Sequence, residues 1–369
     1  MVSLSKTVRA LCLGVALVSF MIGGAGYLLL REIQSPVMAS DDAEVVEFIV
    51  EEGDTTNTIA TNLGSAGLIR QPLIFTTLVR MQGLDGQLQT GNYLLRPNMT
   101  MSEIMSALQV SIVMEDIQIQ TIEGMRLEEM AEIVGQAGLP QVTEEAFLAA
   151  AQDGALFQEQ YFLLQDLPSG ASLEGYLFPD TYRVASTATV TDVIGVMLNR
   201  FVEQYSEVET QVQVEDVTIH DLVTMASIVQ REAALQDEMP QISAVFWNRL
   251  KEENLDETGG GKLQADPTLQ YAIGESGEWW PKLDTLTIDE INGVDDPYNT
   301  RVNSGLPPGP ISNPGLNALL AAARPDESAP YLYFVASCPE DGSHRFATTF
   351  AEFEQYEDEY LQCVQSQDG

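Results

Sequence analysis

Basic residues are scarce in this chain: 17 Lys and Arg stand against 55 Asp and Glu in 369 residues, a formal net charge of -38. So few cations leave no basic footprint for the phosphates of DNA or RNA, or for an anionic lipid surface. Histidine is scarcer still. His220 and His344 are the two in the chain, which leaves no zinc cluster and no Ser-His-Asp triad, and Ser227 has no Gly-x-Ser-x-Gly setting. Cysteine occurs three times. Cys12 lies in an apolar run and reads as filler, while Cys338 and Cys363 could pair on an oxidising side although their spacing alone fixes nothing. The run Gly259-Gly260-Gly261-Lys262-Leu263 lacks the glycine spacing and the Ser or Thr of a phosphate loop, so it reads as a flexible turn.

What is present is ample apolar material. A hydrophobic fraction of 45% over this length supports two or three folded domains. Leu11 to Leu30 are twenty residues without a charge, which as a helix would span roughly 30 Å, the thickness of a bilayer core. Lys6 and Arg9 precede this run, and Asp41, Asp42, Glu44 and Glu47 follow it. The positive-inside rule therefore expects a single-pass anchor in the cell membrane, with residues 1–10 as a cytoplasmic tail and the bulk of the chain outside. A cleaved signal peptide is the rival, with Val37-Met38-Ala39 as a weak site and an apolar stretch longer than a secretory core.

Periodicity divides the exported part. Residues 31–44 read as a linker. Over 45–110 the order is a strand at Val46 to Val50, a Gly53-Asp54-Thr55 turn, helical spacing through Thr58 to Leu63, a helix from Pro72 to Met81, a strand over Leu88 to Leu95, and a helix from Met101 to Leu108 capped by Thr100 or Ser102. This βααβ order is similar to LysM-type modules, a fold that holds glycan chains and is also used as a spacer. Residues 111–170 form a connecting subdomain, in which Ile117 to Arg126 repeats the strand and Gly turn before a helix over Leu127 to Ala137. Helical spacing recurs at 143–153 and 191–206. Asn313-Pro314 reads as the cap and first turn of a helix over 315–323. Tyr331 to Val335 and His344 to Ala347 read as paired strands turning at Asp341-Gly342. The fold class expected is α+β, with 171–369 as the last and largest domain.

Glu232 ends the apolar stripe of a helical run that starts at Leu222. At about 100° per residue, Leu222, Met225, Val229 and Glu232 share a face, and Gln230 and Arg231 point elsewhere. A carboxyl group among apolar neighbours loses hydration, which raises its pKa and lets it act as a general acid near neutral pH. A helix end whose carboxylate simply reaches solvent gives the same periodicity.

The surrounding chain carries short phrases: Glu174-Gly175-Tyr176-Leu177-Phe178-Pro179-Asp180-Thr181-Tyr182, Leu263-Gln264-Ala265-Asp266-Pro267-Thr268, Pro297-Tyr298-Asn299-Thr300, Ser304 to Gly315, and Tyr331 to Val335. Together, and in this order from about residue 45 to the C-terminus, the chain resembles the endolytic murein transglycosylases of the YceG-like family. The resemblance implies cleavage of the MurNAc-GlcNAc bond in nascent peptidoglycan strands, with the 6-hydroxyl of the muramic ring closing a 1,6-anhydro ring and ending strand elongation. It makes Glu232, the second acid of the family's Glu-Lys-Glu phrase, the catalytic residue. Here that phrase reads Gln230-Arg231-Glu232, and positions two apart differ by roughly 200°, so Gln230 and Glu232 cannot face one cleft.

The resemblance also puts Gln264 and Asp266 along the cleft, to bind sugar or to orient Glu232, although an Asp before Pro is equally a turn-maker. Tyr298, Asn299 and Thr300 offer an aromatic face, an amide and a hydroxyl, the equipment for N-acetyl sugars. Glu174 joins the substrate-binding candidates on resemblance alone, and Gly305 to Pro310 reads as a rigid wall. Glycan strands are the implied partner, peptidoglycan synthases are candidate partners, and no metal or cofactor is implied. Two rival functions remain open: a hydrolytic muramidase or glucosaminidase pairing Glu232 with Asp266, and a non-catalytic wall-binding scaffold.

Overall fold

The computed structural model describes residues 31, 33–38, 45–51, 53–109, 116–339 and 341–367. The expected tail and membrane span, 1–10 and 11–30, lie outside the described residues, as do 39–44 of the linker. Among the described residues no helix is long and apolar enough to cross a membrane. The chain divides into two compact units, one up to Glu115 and one from Asp116 onward.

The first unit has the order β1 (Val46–Val50), α1 (Thr56–Ser65), α2 (Pro72–Met81), β2 (Gly91–Leu95) and α3 (Met101–Gln109). Strand alternation buries Phe48 and Val50 and turns Glu47 and Ile49 outward. β1 pairs antiparallel with β2, Val46 opposite Leu95 and Val50 opposite Gly91. Thr55 caps α1, its hydroxyl accepting the Thr58 N–H, and Pro72 occupies the first turn of α2, where no N–H is needed. Thr100 opens α3 reciprocally: its N–H donates to Glu103 Oε2 at 2.7 Å and its Oγ1 accepts the Glu103 N–H at 3.3 Å. The strand expected from Leu88 begins instead at Gly91, because the Gln89 N–H is taken by the Leu108 carbonyl at the end of α3, 2.8 Å away. Part of the expected linker is tied to this unit: Arg70 Nη2 donates to the Pro36 and Val37 carbonyls at 2.7 and 2.9 Å, and the Met38 N–H to Pro97 O.

The second unit contains β3 (Asp116–Gln120), α4 (Leu127–Gln136), α5 (Glu144–Ala151), β4 (Thr181–Ala185), α6 (Val190–Glu209), α7 (Ile219–Glu232), α8 (Met239–Leu250), α9 (Asp266–Ile273), α10 (Leu316–Ala323), β5 (Tyr333–Ala336), β6 (His344–Ala347) and α11 (Phe350–Gln367), besides shorter turns of helix. It is a mixed α+β arrangement of helices with two-stranded antiparallel sheets, β3 on β4 and β5 on β6. Residues 116–170 feed Ile119, Met130, Phe147 and Leu164 into the same core as α6, α7 and α10. The centre of that core is α7. Every residue from Leu222 to Val229 is buried, so the apolar stripe of the sequence is a helix enclosed on all sides. Its two central hydroxyls are satisfied internally, Thr224 donating to His220 O and Ser227 to Thr224 O.

Two local details explain sequence phrases. Gly175 has φ +87, and a Cβ there would lie 2.5 Å from Pro310 Cβ and 2.8 Å from Val223 Cγ1, so only glycine fits beneath the Pro-rich wall. Asn313 is not the cap of α10, as the sequence suggested; Gly315 holds that position. The Asn313 amide is fully buried and joins three segments instead, donating to Met125 O at 3.1 Å and Glu174 Oε1 at 2.9 Å and accepting the Leu177 N–H at 3.0 Å. Cys338 and Cys363 are joined in a disulfide that ties the segment after β5 to α11.

Candidate active site

Thr218 and Asp221 close a capping box at the start of α7, fixing the helix register. At its other end Ala233 turns extended, so Glu232 is the last helical residue and reaches a cleft of about 420 Å³. Glu232 is half-buried. Burial pushes its carboxyl up to about 8; the negative charge of Asp266 adds to the rise, while Arg301 and a hydrogen bond from the Asp266 backbone oppose it. A carboxyl held there keeps its proton at neutral pH and can deliver it.

The loop facing Glu232 is built with unusual backbone. Gly259, Gly260 and Gly261 all have positive φ, and Gln264, at φ 55, is one of two described residues other than glycine in the left-handed region. Arg249 of α8 holds this loop from within. It is 4% exposed, and its Nε, Nη1 and Nη2 donate to Lys262 O, Leu332 O and Gln264 Oε1 at 2.8, 2.8 and 2.6 Å. The loop then enters α9 at Asp266, with Pro267 in the first turn. Asp266 therefore sits at a helix start where its backbone N–H is free to donate to Glu232. Its side chain, about half exposed, pairs with Arg301, which donates to Oδ1 through Nε at 3.0 Å and also through Nη2.

The structure brings Glu232, Gln264 and Asp266 together around one cleft. It does not bring the other candidates there. Asn299 and Thr300 are 0% and 1% exposed, with their polar atoms used internally. Asn299 Nδ2 donates to Ile291 O and Val294 O, its Oδ1 accepts the Arg301 N–H, and Thr300 Oγ1 accepts the Ala265 N–H and meets Thr268 Oγ1. They fix the backbone that presents Arg301 and have no face left for sugar. Tyr298 and Glu174 line a different cavity, of about 470 Å³, with His220 and Tyr271. The Tyr298 ring meets that of Tyr271 at 4.8 Å between centroids, tilted by 48°, and burial pushes its hydroxyl up to about 12. Glu174 is 3% exposed, accepts from Leu127 N–H and Asn313, and is pushed up to about 8 by burial. His220 Nε2 donates to the Pro308 carbonyl at 3.0 Å, and its Nδ1 meets the Tyr176 hydroxyl at 2.9 Å. His344 pairs with Glu238 at 2.8 Å and anchors β6.

Gln230 and Arg231 turn away from the cleft. Gln230 Oε1 accepts the Gly315 N–H at 3.0 Å, at the start of α10, which a carboxylate oxygen could do equally. Arg231 lies 3.7 Å over the Trp280 ring, and its Nη1 donates to Gly124 O. Sequence reasoning missed Arg301, Arg249 and the wall contributed by Phe350, Phe353 and Glu357 of α11. A signal existed for Arg301, the single basic residue between Lys282 and Arg324 in a chain short of cations.

The profile of the YceG-like family matches residues 48–359. The chain is 30% identical over 355 residues to the endolytic murein transglycosylase of Bacillus subtilis strain 168, covering 92% of this chain and 91% of that protein. It is 31% identical over 335 residues to the endolytic murein transglycosylase of Streptococcus pneumoniae D39, covering 86% of this chain. The chain spans 59% of that pneumococcal relative's length. It also matches the crystal structure of a yceG-like protein from Listeria monocytogenes, with a TM-score of 0.55, 28% identity, and coverage of 85% of this chain and 99% of that one. The matched span takes in most of the described residues of both units and all of the residues lining the Glu232 cleft, and the chain belongs to the YceG-like family.

Proposed function

We propose that this protein is a membrane-anchored lytic transglycosylase that cuts peptidoglycan strands internally, with Glu232 as its one proton-transferring group. The observation that carries this reading is a carboxyl held protonated near neutrality at a cleft whose neighbouring carboxylate, Asp266, is committed to Arg301. Glu232 donates its proton to the glycosidic oxygen as the C1–O bond breaks, leaving an oxocarbenium-like carbon. The 6-hydroxyl of the same muramic ring attacks C1, its proton returns to the Glu232 carboxylate, and no water is consumed. Asp266 orients the acid through its backbone N–H, and Gln264 binds sugar. Family membership, and the similarity to endolytic murein transglycosylases of Bacillus and Streptococcus, support the substrate class.

Residues 11–30 are the anchor in this reading, with the N-terminus cytoplasmic, and the βααβ order of 45–110 is a LysM-like module that holds the strand. Anchorage places the cleft beside strands as they leave the membrane, where peptidoglycan synthases are the natural partners. The test is fragment release from uncrosslinked glycan by the wild type and by Glu232→Gln. Release of mid-length fragments by the wild type alone supports the reading. Tight murein binding without fragments from either protein overturns it in favour of a scaffold.

A further inference from the structure

Helix α11 is strongly acidic, carrying Glu352, Glu354, Glu357, Asp358 and Glu359. Yet it contributes two phenyl rings, Phe350 and Phe353, to the lining of the cleft that holds Glu232. With Glu357 they follow at spacings of three and four residues and so share one helix face. Phe350 is 50% exposed; among the described residues Phe162 is the one other aromatic side chain left so open. The small core below this face is already closed by Leu332, Tyr333, Phe353 and Tyr356, so packing does not require the Phe350 ring. The two phenyl rings lie 6.0 Å apart at 30° to each other, and Tyr333 sits 5.9 and 5.5 Å from them.

An open aromatic surface beside hydrogen-bonding groups suits a pyranose ring, which has an apolar C–H face and a polar rim. Gln264 supplies an amide in the same lining. Charge then selects among sugars. Glu359 is paired with Arg345 at 2.6 Å, whereas Glu357 lines the cleft unpaired by any of the ion pairs found among the described residues. A ring carrying its own carboxylate is repelled there, and a neutral ring is not. We propose that Phe350 and Phe353 form a stacking platform for a neutral N-acetylhexosamine ring of the glycan, and that Glu357 disfavours at that position a muramic ring whose lactyl carboxylate is free of stem peptide. The proposal rests on the reading of this cleft as glycan-cleaving.

The test is calorimetric titration of the full chain carrying Glu232→Gln with chitotetraose, a neutral N-acetylglucosamine oligomer. Adding Phe350→Ala or Phe353→Ala weakens binding roughly tenfold, and Phe350→Trp preserves it. Glu357→Gln leaves chitotetraose affinity unchanged and tightens a muramic-acid disaccharide several-fold at low salt. Thermal melts of each variant separate lost binding from lost folding, and the Trp variant keeps the aromatic face without the original ring. Chitotetraose that fails to bind the parent, or binds the alanine variants as tightly as the parent, overturns the platform. If the platform variants lose chitotetraose while unmutated protein releases nothing from murein, the cleavage reading fails and the platform stands.

Discussion

Glu232→Gln gives a prediction in which stability and activity move in opposite directions. The carboxyl is raised from its usual 4.5 to about 8. At about 1.36 kcal/mol per tenfold change, and allowing for screening by cleft water, the ionised form costs the fold roughly 3 to 5 kcal/mol. The sign follows from proton binding. A carboxyl whose folded-state pKa lies above its unfolded value binds more protons when folded, so this contribution to stability declines as pH rises from about 4.5 to about 8 and is level beyond. The amide does not titrate. Urea unfolding of the two proteins at pH 5 and pH 9 should therefore show the Glu232→Gln variant gaining on the wild type by roughly 3 to 5 kcal/mol at the higher pH. Glu174, also raised to about 8, is common to both proteins and cancels. Glycan cleavage by the variant should be absent at both values. Parallel stability curves across this range would refute the claim that burial holds a proton on Glu232.

The Asp266 and Arg301 pair should tune the acid in opposite senses. Arg301→Met leaves the Asp266 charge unneutralised and moves the alkaline limb of the pH–rate profile upward, whereas Asp266→Asn removes the raising charge and moves it downward; shifts of one sign in both would contradict the electrostatics. Gln230→Glu should leave cleavage unchanged because an acceptor for the Gly315 N–H persists, while Gln230→Ala should cost about 1 to 2 kcal/mol in denaturant titration. Cys338→Ser should lower stability by roughly 3 kcal/mol, matched by reduction of the wild type, through release of the loop closed by Cys363.

Local physics made much of the fold legible. Helix α2 runs from Pro72 to Met81 as its proline and periodicity indicate, and the strands at Val46–Val50 and His344–Ala347 follow from alternation and a Gly turn. The place of Glu232 at the end of a buried helix was equally legible, since one helical face carries it. Contacts distant in sequence were not. Asn299 and Thr300 have the chemistry of sugar ligands, yet their amide and hydroxyl are consumed within the loop they brace, and no property of the residue type distinguishes these uses. Asn313 looked like a helix cap because caps and buried amide ties draw on the same side chain. Arg249 and the α11 wall depend on segments that meet only after the chain folds, with a separation of 83 residues between Arg249 and Leu332.

End-group analysis of the products, run in isotopically labelled water, tests the central claim most directly. Ring closure by the muramic 6-hydroxyl predicts fragments with 1,6-anhydro ends and no solvent oxygen. Reducing ends that carry the label would contradict it and make Glu232 the acid of a hydrolase.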